Sequence, residues 1–317
     1  TGSSAIIPDM FTPVRKHIIT TDTLFEQRDL PERIGVVGLG AVGMEMAQAF
    51  ARLDRDVIAL NNEEHVGVVQ DPAIRDTIVE ALSEDMTLWL DAKPQVEETP
   101  NGVTLKCGDK TAEVDALFIA AGRSPNIREL GLEKIGISCN SKGVPKFNHH
   151  TMQLPGKPIY ITGDATDERA ILHEASDEGR RAGFHAIFGY TKICPRYPNM
   201  QIIFTRPSIA IVGENEYSLR HEDAVTGEND FAWQGRSILE DRAFGKIRIF
   251  ADQKGYFRGA EIMSPAAEHL AHFLMLALSQ QLRIEEILRL PFYHPTFEEG
   301  LRSALNHTQK QLEGVSI

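Results

Sequence analysis

The alternation of apolar and polar positions divides the chain into two textures. Residues 34–37 form an apolar run with the look of a buried strand, residues 38–43 a glycine-dense turn, and residues 44–53 a helix. A second strand is expected at residues 56–60, ending at Asn61, then a helix at 72–82 and a third strand at 87–90. Turns at Asn101-Gly102 and Gly108-Asp109 set off residues 103–107 and 113–115 as a small antiparallel meander, and residues 116–120 read as another buried strand. Residues 127–158 are turn-rich. A strand at 159–162 and a helix at 170–188 follow. From residue 190 onward short strands are expected at 202–204, 209–212, 231–233, 245–250 and 256–262, then a helix at 265–280, another at 283–290 and a closing helix. The 265–280 helix is apolar on nearly every face, so it must be covered on all sides, which makes it a candidate subunit interface. At the other end, residues 1–8 read as a loop leaving a strand, and residues 20–25 as a short connector helix.

Length and charge narrow the class. The 317 residues have room for about two domains, and 42% hydrophobic content is enough for sizeable cores. With 33 Lys+Arg against 45 Asp+Glu the net charge is −12, which argues against a nucleic-acid partner and suits a cytoplasmic enzyme. No apolar stretch reaches membrane-spanning length uninterrupted, so no membrane partner is expected. Cys107, Cys139 and Cys194 are too widely separated for a Cys-x-x-Cys site and are read as reduced, structural residues; no metal site is expected.

Gly38-Leu-Gly40-Ala-Val-Gly43 sits between a strand and a helix with a second strand behind it, the setting that turns a weak Gly-x-Gly-x-x-Gly match into a dinucleotide-binding expectation. Each glycine has its own duty. Gly38 turns the chain, Gly40 lets backbone approach a pyrophosphate, and Gly43 lets helix pack closely on strand. The first helical N–H groups then face the phosphates, favoured by the helix dipole.

Seven segments, in order, carry a family resemblance: Thr1-Gly-Ser, Gly38-x-Gly-x-x-Gly-x-Glu45, Ala121-Gly-Arg-Ser-Pro-Asn126, Tyr160-Ile-Thr-Gly-Asp164, Leu172-His-Glu-Ala175, Arg206-Pro-Ser-Ile-Ala-Ile-Val-Gly213 and His294-Pro-Thr-Phe-Glu-Glu299. Together the chain resembles the pyridine nucleotide-disulfide oxidoreductases, most closely those of the dihydrolipoamide dehydrogenase type. The resemblance implies an α/β fold with a Rossmann-like NAD domain and a partial FAD domain, followed by an α+β dimerisation domain. The boundaries expected are 1–30 for an FAD-domain remnant and connector, 31–121 for the NAD domain, 122–190 for the rest of the FAD domain and 191–317 for the dimerisation domain. The family's first glycine-rich turn and its Cys-x-x-x-x-Cys redox disulfide do not occur in this sequence. A longer protein lacking its N-terminal portion is therefore expected.

In the family, a dithiol reduces the disulfide, electrons pass through FAD, and hydride goes to NAD. The resemblance makes His294 the base that handles the dithiol proton, acting on the disulfide of the partner subunit in a homodimer. Histidine suits the task because its ordinary pKa lies near neutrality. Glu299 resembles the carboxylate that orients the imidazole, yet Thr296-Phe-Glu-Glu299 also fits a capping box, and one carboxylate can serve both. Relatives that do not work on a dithiol, such as soluble transhydrogenase or mercuric reductase, usually have tyrosine at the place of His294. His149, His150, His269 and His272 are read as surface or packed residues. Glu45 resembles the glutamate that meets the nicotinamide, with first-turn dipole compensation as its competing role. Asn61 departs from the acidic residue that binds the ribose diol in NAD enzymes. Its amide can still hydrogen-bond a hydroxyl, and Glu63 and Glu64 would repel a phosphate, so NAD rather than NADP is expected. Weaker nucleotide affinity is the other consequence left open. Asp164 resembles the residue that bonds the ribityl chain of FAD, and Gly122, Gly163 and Leu172 fall in the cofactor-binding motifs around it. The substrate is expected to be a dithiol or disulfide, on a lipoyl domain in the family's type reaction. The alternatives are a relative acting on another disulfide or exchanging nicotinamide nucleotides and, for this chain by itself, a noncatalytic NAD-binding and dimerisation module.

Overall fold

The computed structural model describes residues 1–189, 196–219 and 224–314. Cys194 and the expected boundary at 190/191 lie outside the described residues. The chain divides into two compact units, Thr1–Thr12, Ile19–Arg28 and Ile119–Arg196 forming one, and Pro13–Ile18, Asp29–Phe118 and Tyr197–Ile317 the other.

In the second unit, but for the end residues Ile19 and Ile119, a sheet is built in the order Ile18–Ile19, Ala116–Ile119, Arg33–Val37, Asp56–Leu60, Thr87–Trp89. Arg33–Val37 runs parallel to Asp56–Leu60, which runs parallel to Thr87–Trp89. The apolar run predicts this, because a parallel strand covered on both faces has no polar side to show; Ile34 and Val36 are buried. The helices Ala41–Arg52 and Pro72–Asp85 connect the strands, the second capped by Asp71, whose carboxylate accepts the Ile74 N–H, with Pro72 at its first position. The meander has three strands, Gln95–Thr99, Gly102–Cys107 and Lys110–Val114, all antiparallel. The rest of the unit is a five-stranded antiparallel sheet ordered Met200–Ile203, Ser208–Gly213, Phe257–Ser264, Lys246–Ala251, Val225–Asp230. Helices Ala267–Ser279, Ile284–Leu288 and Glu298–Leu312 share a core with it through Leu270, Leu274, Ile284, Leu301, Ile247 and Ile262. This is the α/β then α+β arrangement that the sequence implies.

The first unit holds a two-stranded antiparallel pair, Ser3–Ala5 with Arg123–Pro125, and the helix Leu172–Phe188. Ile127, Val144, Leu154, Ile161 and Ala165 form its small core.

Several expectations are corrected. Residues 3–5 form a strand, not a loop, because the Arg123 guanidinium grips both the Ser3 carbonyl and hydroxyl while the backbones pair. Residues 159–162 form no strand. Their backbone is used by a bridge at Gln153 and Tyr160 and by the Leu154–Ile159 and Met152–Ile161 bonds, and Ile161 is apolar to fill the small core. Gly163 therefore opens a 3₁₀ turn, Gly163–Thr166, and does not follow a strand. Residues 231–233 make a 3₁₀ turn capped by the Asp230 carboxylate, with Phe231 buried and Trp233 exposed, and the strand precedes it at Val225–Asp230. A short polar side chain that bonds its own backbone two residues on competes with a ladder and wins here. The connector at 20–25 is a 3₁₀ turn at Leu24–Glu26. The helix Ala267–Ser279 buries Leu270, Ala271, Leu274 and Ala277 within the chain, while Leu276 on the opposite face is exposed.

Candidate functional site

The glycine turn is held from three directions. Gly38, at φ 92°, donates its N–H to the Leu60 carbonyl at 2.8 Å, which ends the first strand against the second. The side chain of Leu39 is buried, and its peptide groups are both used by the segment after the second strand: the N–H donates to Asn61 Oδ1 at 3.2 Å, and the carbonyl accepts the Gly67 N–H at 2.6 Å. Asn61 Nδ2 in turn donates to the His65 carbonyl at 2.6 Å. The amide of Asn61 thus staples the turn to its neighbouring loop, with Glu63 and Glu64 exposed just beyond it. Gly43 is buried on the helix. A Cβ added to Gly40 would meet no atom within 4 Å, so the space over the turn is open, and no side chain caps the helix that starts there. Uncapped N–H groups beneath open space fit the pyrophosphate of a dinucleotide.

Farther along the helix Ala41–Arg52, Glu45 Oε1 accepts the Phe204 N–H at 2.8 Å. Buried Gln48, three residues on, accepts the Arg206 N–H at 2.6 Å and donates to the Arg206 carbonyl and to Asp85. A cleft of about 350 Å³ lies between Glu45, Gln48, Arg52 and the Phe204–Arg206 segment. In the sequence, the signal for Gln48 is a polar residue at the i+3 position from Glu45.

In the first unit, Asp164 Oδ2 accepts the Ser3 hydroxyl at 2.6 Å, and the same hydroxyl accepts Arg123 Nε at 2.7 Å. Arg123 also donates to Thr21 Oγ1. The Gly122 carbonyl accepts the Ile6 N–H, and Gly122 has φ 111°. At Gly163, with φ 65°, a side chain is strained, and a Cβ would come within 3.1 Å of the Ala175 Cβ, so a substitution crowds the turn against the helix. The Gly163 N–H donates to Glu178 Oε2 at 2.7 Å. Glu178 is 3% exposed, and burial pushes its carboxyl above the ordinary value although the Gly163 N–H and Arg196 pull the other way. Burial acts on Glu174 in the same sense, but hydrogen bonds from Arg169 and Arg196 hold that carboxyl below its ordinary value. Leu172 opens its helix 86% exposed with no side-chain cap. A free helix start beside Asp164 fits the ribityl and phosphate portion of a flavin dinucleotide.

The third group is His294 with Glu299. His294 Nδ1 lies 3.0 and 3.1 Å from the two carboxylate oxygens of Glu299. A carboxylate only accepts, so Nδ1 carries the proton of this bond, and Nε2 is the ring nitrogen that Glu299 leaves unused. Glu299 Oε2 also accepts the Thr296 N–H at 3.1 Å, while the Thr296 hydroxyl donates back to the Tyr293 carbonyl. The carboxylate therefore makes both contacts the sequence left open. The His294 hydrogen bond first, then the Thr296 N–H, hold the Glu299 carboxyl below its ordinary value. The imidazole is 79% exposed, as a group that meets a substrate or a second subunit must be.

The family profile described as pyridine nucleotide-disulphide oxidoreductase matches residues 1–179, and its dimerisation-domain profile matches residues 200–305. Dihydrolipoyl dehydrogenase 1, mitochondrial, from Arabidopsis thaliana is 28% identical over 321 residues, covering 96% of this chain and 62% of that protein. The chain spans about three fifths of the length of the curated relatives it matches. The solved HOCl-induced flavoprotein disulfide reductase RclA from Escherichia coli superposes with a TM-score of 0.86 at 22% identity, over 96% of this chain and 72% of that one. LpdA from Mycobacterium tuberculosis gives 0.84 at 24%, over 96% and 68%. At these identities the two structures share the fold. Among the described residues no helix is long and apolar enough to cross a membrane.

Proposed function

As the chain belongs to the pyridine nucleotide-disulphide oxidoreductase family, we propose that it serves an FAD- and NAD-dependent oxidoreductase of the dihydrolipoamide dehydrogenase type, working as a homodimer in the cytoplasm on a dithiol carried by a lipoyl domain. The observation that carries this reading is the exposed His294 imidazole with its Nδ1–H fixed on Glu299. That arrangement leaves Nε2 to take the proton of a thiol and return it, and the Glu299 carboxylate stabilises the imidazolium that forms between. In the dimer of a longer protein that carries the family's redox disulfide, His294 would face the disulfide of the partner subunit.

The chain's other residues bind and orient. Gly38, Gly40 and Gly43 bring backbone to the NAD pyrophosphate, Asn61 lies at the adenosine ribose and Glu45 at the nicotinamide end. Gly122, Gly163, Asp164 and Leu172 hold the flavin. Bound flavin and nicotinamide supply the electron and hydride transfer.

The test is dihydrolipoamide-dependent reduction of NAD by the holoenzyme. His294→Gln is expected to lower turnover by about 10²–10⁴-fold, the usual range for a lost general base, with NADH affinity unchanged. Turnover equal to wild type ends the reading. A second reading is favoured by the cysteines: Cys107, Cys139 and Cys194 include no Cys-x-x-x-x-Cys pair. By itself the chain then acts as a nucleotide-binding and dimerisation module, recognised by NADH binding without a visible flavin absorbance band.

A further inference from the structure

Glu261 stands in the middle of the strand Phe257–Ser264, between Ile211 on one neighbouring strand and Arg248 on the other. It is 0% exposed. A carboxylate in such a place costs several kcal/mol unless its oxygens are answered, and here backbone N–H groups answer them. Oε1 accepts the Gln70 N–H at 3.0 Å, and Oε2 accepts the Gln70 N–H at 3.1 Å and the Asp71 N–H at 2.6 Å. The charged groups around it are Asp71 and Arg75 from the loop and helix, and Arg248 and Glu228 from the sheet. Arg248 is committed to the other two carboxylates, with Nε on Asp71 at 2.8 Å and Nη1 on Glu228. The hydrogen bonds that the Glu261 carboxylate accepts come from the Gln70–Asp71 backbone and not from the sheet.

That backbone ends the loop which begins at Asn61. At its start Asn61 joins the Leu39 N–H to the His65 carbonyl, and in its middle Gly67 donates to the Leu39 carbonyl. Gly67 is at φ 74°, and a Cβ there would come within 2.7 Å of Met44 Cε, so the loop runs tight against the helix that follows the glycine turn. Both peptide groups of Leu39, next to Gly40, therefore depend on where this loop lies, and Glu261 pins its far end.

We propose that Glu261 is a positioning residue for the nicotinamide dinucleotide: its carboxylate holds the 61–71 loop, and through Gly67 the loop holds the glycine turn in the shape that accepts the pyrophosphate. The inference rests on the reading of residues 38–43 as the dinucleotide turn.

The test compares wild type with Glu261→Gln in the full chain, which keeps the shape but offers one acceptor oxygen where two are used. NADH is the probe. Its Kd is expected to rise about tenfold in E261Q. In wild type the Kd also rises as the pH falls and Glu261 takes up its proton, and that rise is missing from the E261Q profile. Amide exchange at Gly67 quickens in E261Q without NADH present. Glu228→Gln, which removes an outer partner of Arg248 and leaves Gln70 and Asp71 alone, keeps the wild-type Kd and exchange. Equal Gly67 exchange in wild type and E261Q overturns the inference whether or not NADH binds, and so does an unchanged Kd in E261Q. Failure of wild type to bind NADH, with Gly67 exchange still faster in E261Q, removes instead the dinucleotide reading on which the ligand half of the inference rests.

Discussion

Glu178 and Glu261 are the same device built in two ways. Each is a buried carboxylate, pushed above its ordinary pKa by burial, that accepts backbone N–H groups from a turn or loop bearing on a candidate cofactor site. Glu178 reaches Gly163 from 15 residues away, on the helix that follows the turn, and shares Arg196 with Glu168 and Glu174. Glu261 reaches Gln70 from 191 residues away, and the guanidinium beside it is spent on Asp71. The difference teaches where each site gets its rigidity. The Asp164 turn is braced by its own neighbourhood, whereas the glycine turn is braced by the C-terminal sheet.

The largest effect expected from this contrast is in Glu261→Ala, which strands two backbone donors. At about 1–3 kcal/mol for each buried group left unpaired, the variant loses roughly 3 kcal/mol or more in urea denaturation. A loss below about 1 kcal/mol would mean that water replaces the carboxylate. Next comes Glu178→Ala, which strands only the Gly163 N–H and leaves Arg196 with two partners; about 1–3 kcal/mol is expected. If it proves costlier than Glu261→Ala, the contrast between local and remote bracing is wrong.

The pH dependence should sharpen the pair. A carboxyl whose folded pKa lies above its unfolded value adds stability that is full below the unfolded value and is lost as pH rises through the folded one. The fall of stability with rising pH, starting at the ordinary carboxylate range, should therefore flatten in both Glu178→Gln and Glu261→Gln. One proton contributes at most about 1.4 kcal/mol per pH unit. Glu299 has the opposite sign. Its folded pKa is lowered, so its contribution is present above the unfolded value and lost as pH falls through the folded one, and Glu299→Gln should flatten the acid limb of the stability curve instead. The smallest effect belongs to Asn61→Asp, which sets an acceptor against the His65 carbonyl while keeping the Leu39 contact. Thermal unfolding should show a loss on the order of 1 kcal/mol, and no loss would show that the staple is dispensable.

Much of the fold is legible along the chain because its causes are local. The run at 34–37, the glycine spacing and the second strand together require a strand, a turn and a helix in that order, and the structure has them. The pairing of His294 with Glu299 comes from the family resemblance, since spacing alone leaves it level with the capping-box contact, and the carboxylate makes both. The failures have physical reasons. Residues 159–162 have the composition of a strand, but their backbone is paired by a short bridge and their side chains fill a small core. At 231–233 a one-residue cap at Asp230 redirects three residues that favour a strand.

What the sequence by itself determined is the set of local machines: a turn that can take phosphate, a helix start left without a cap, an imidazole near a carboxylate. Their parts lie within a few residues of one another, so chain geometry joins them in any fold that lets the segment form. Which acids would be buried, and what they would hold, was decided by tertiary structure alone. Glu261 reads in the sequence as one polar residue in an apolar strand, and it gains a task only because folding brings two N–H groups 190 and 191 residues away to its oxygens, where no water can answer them.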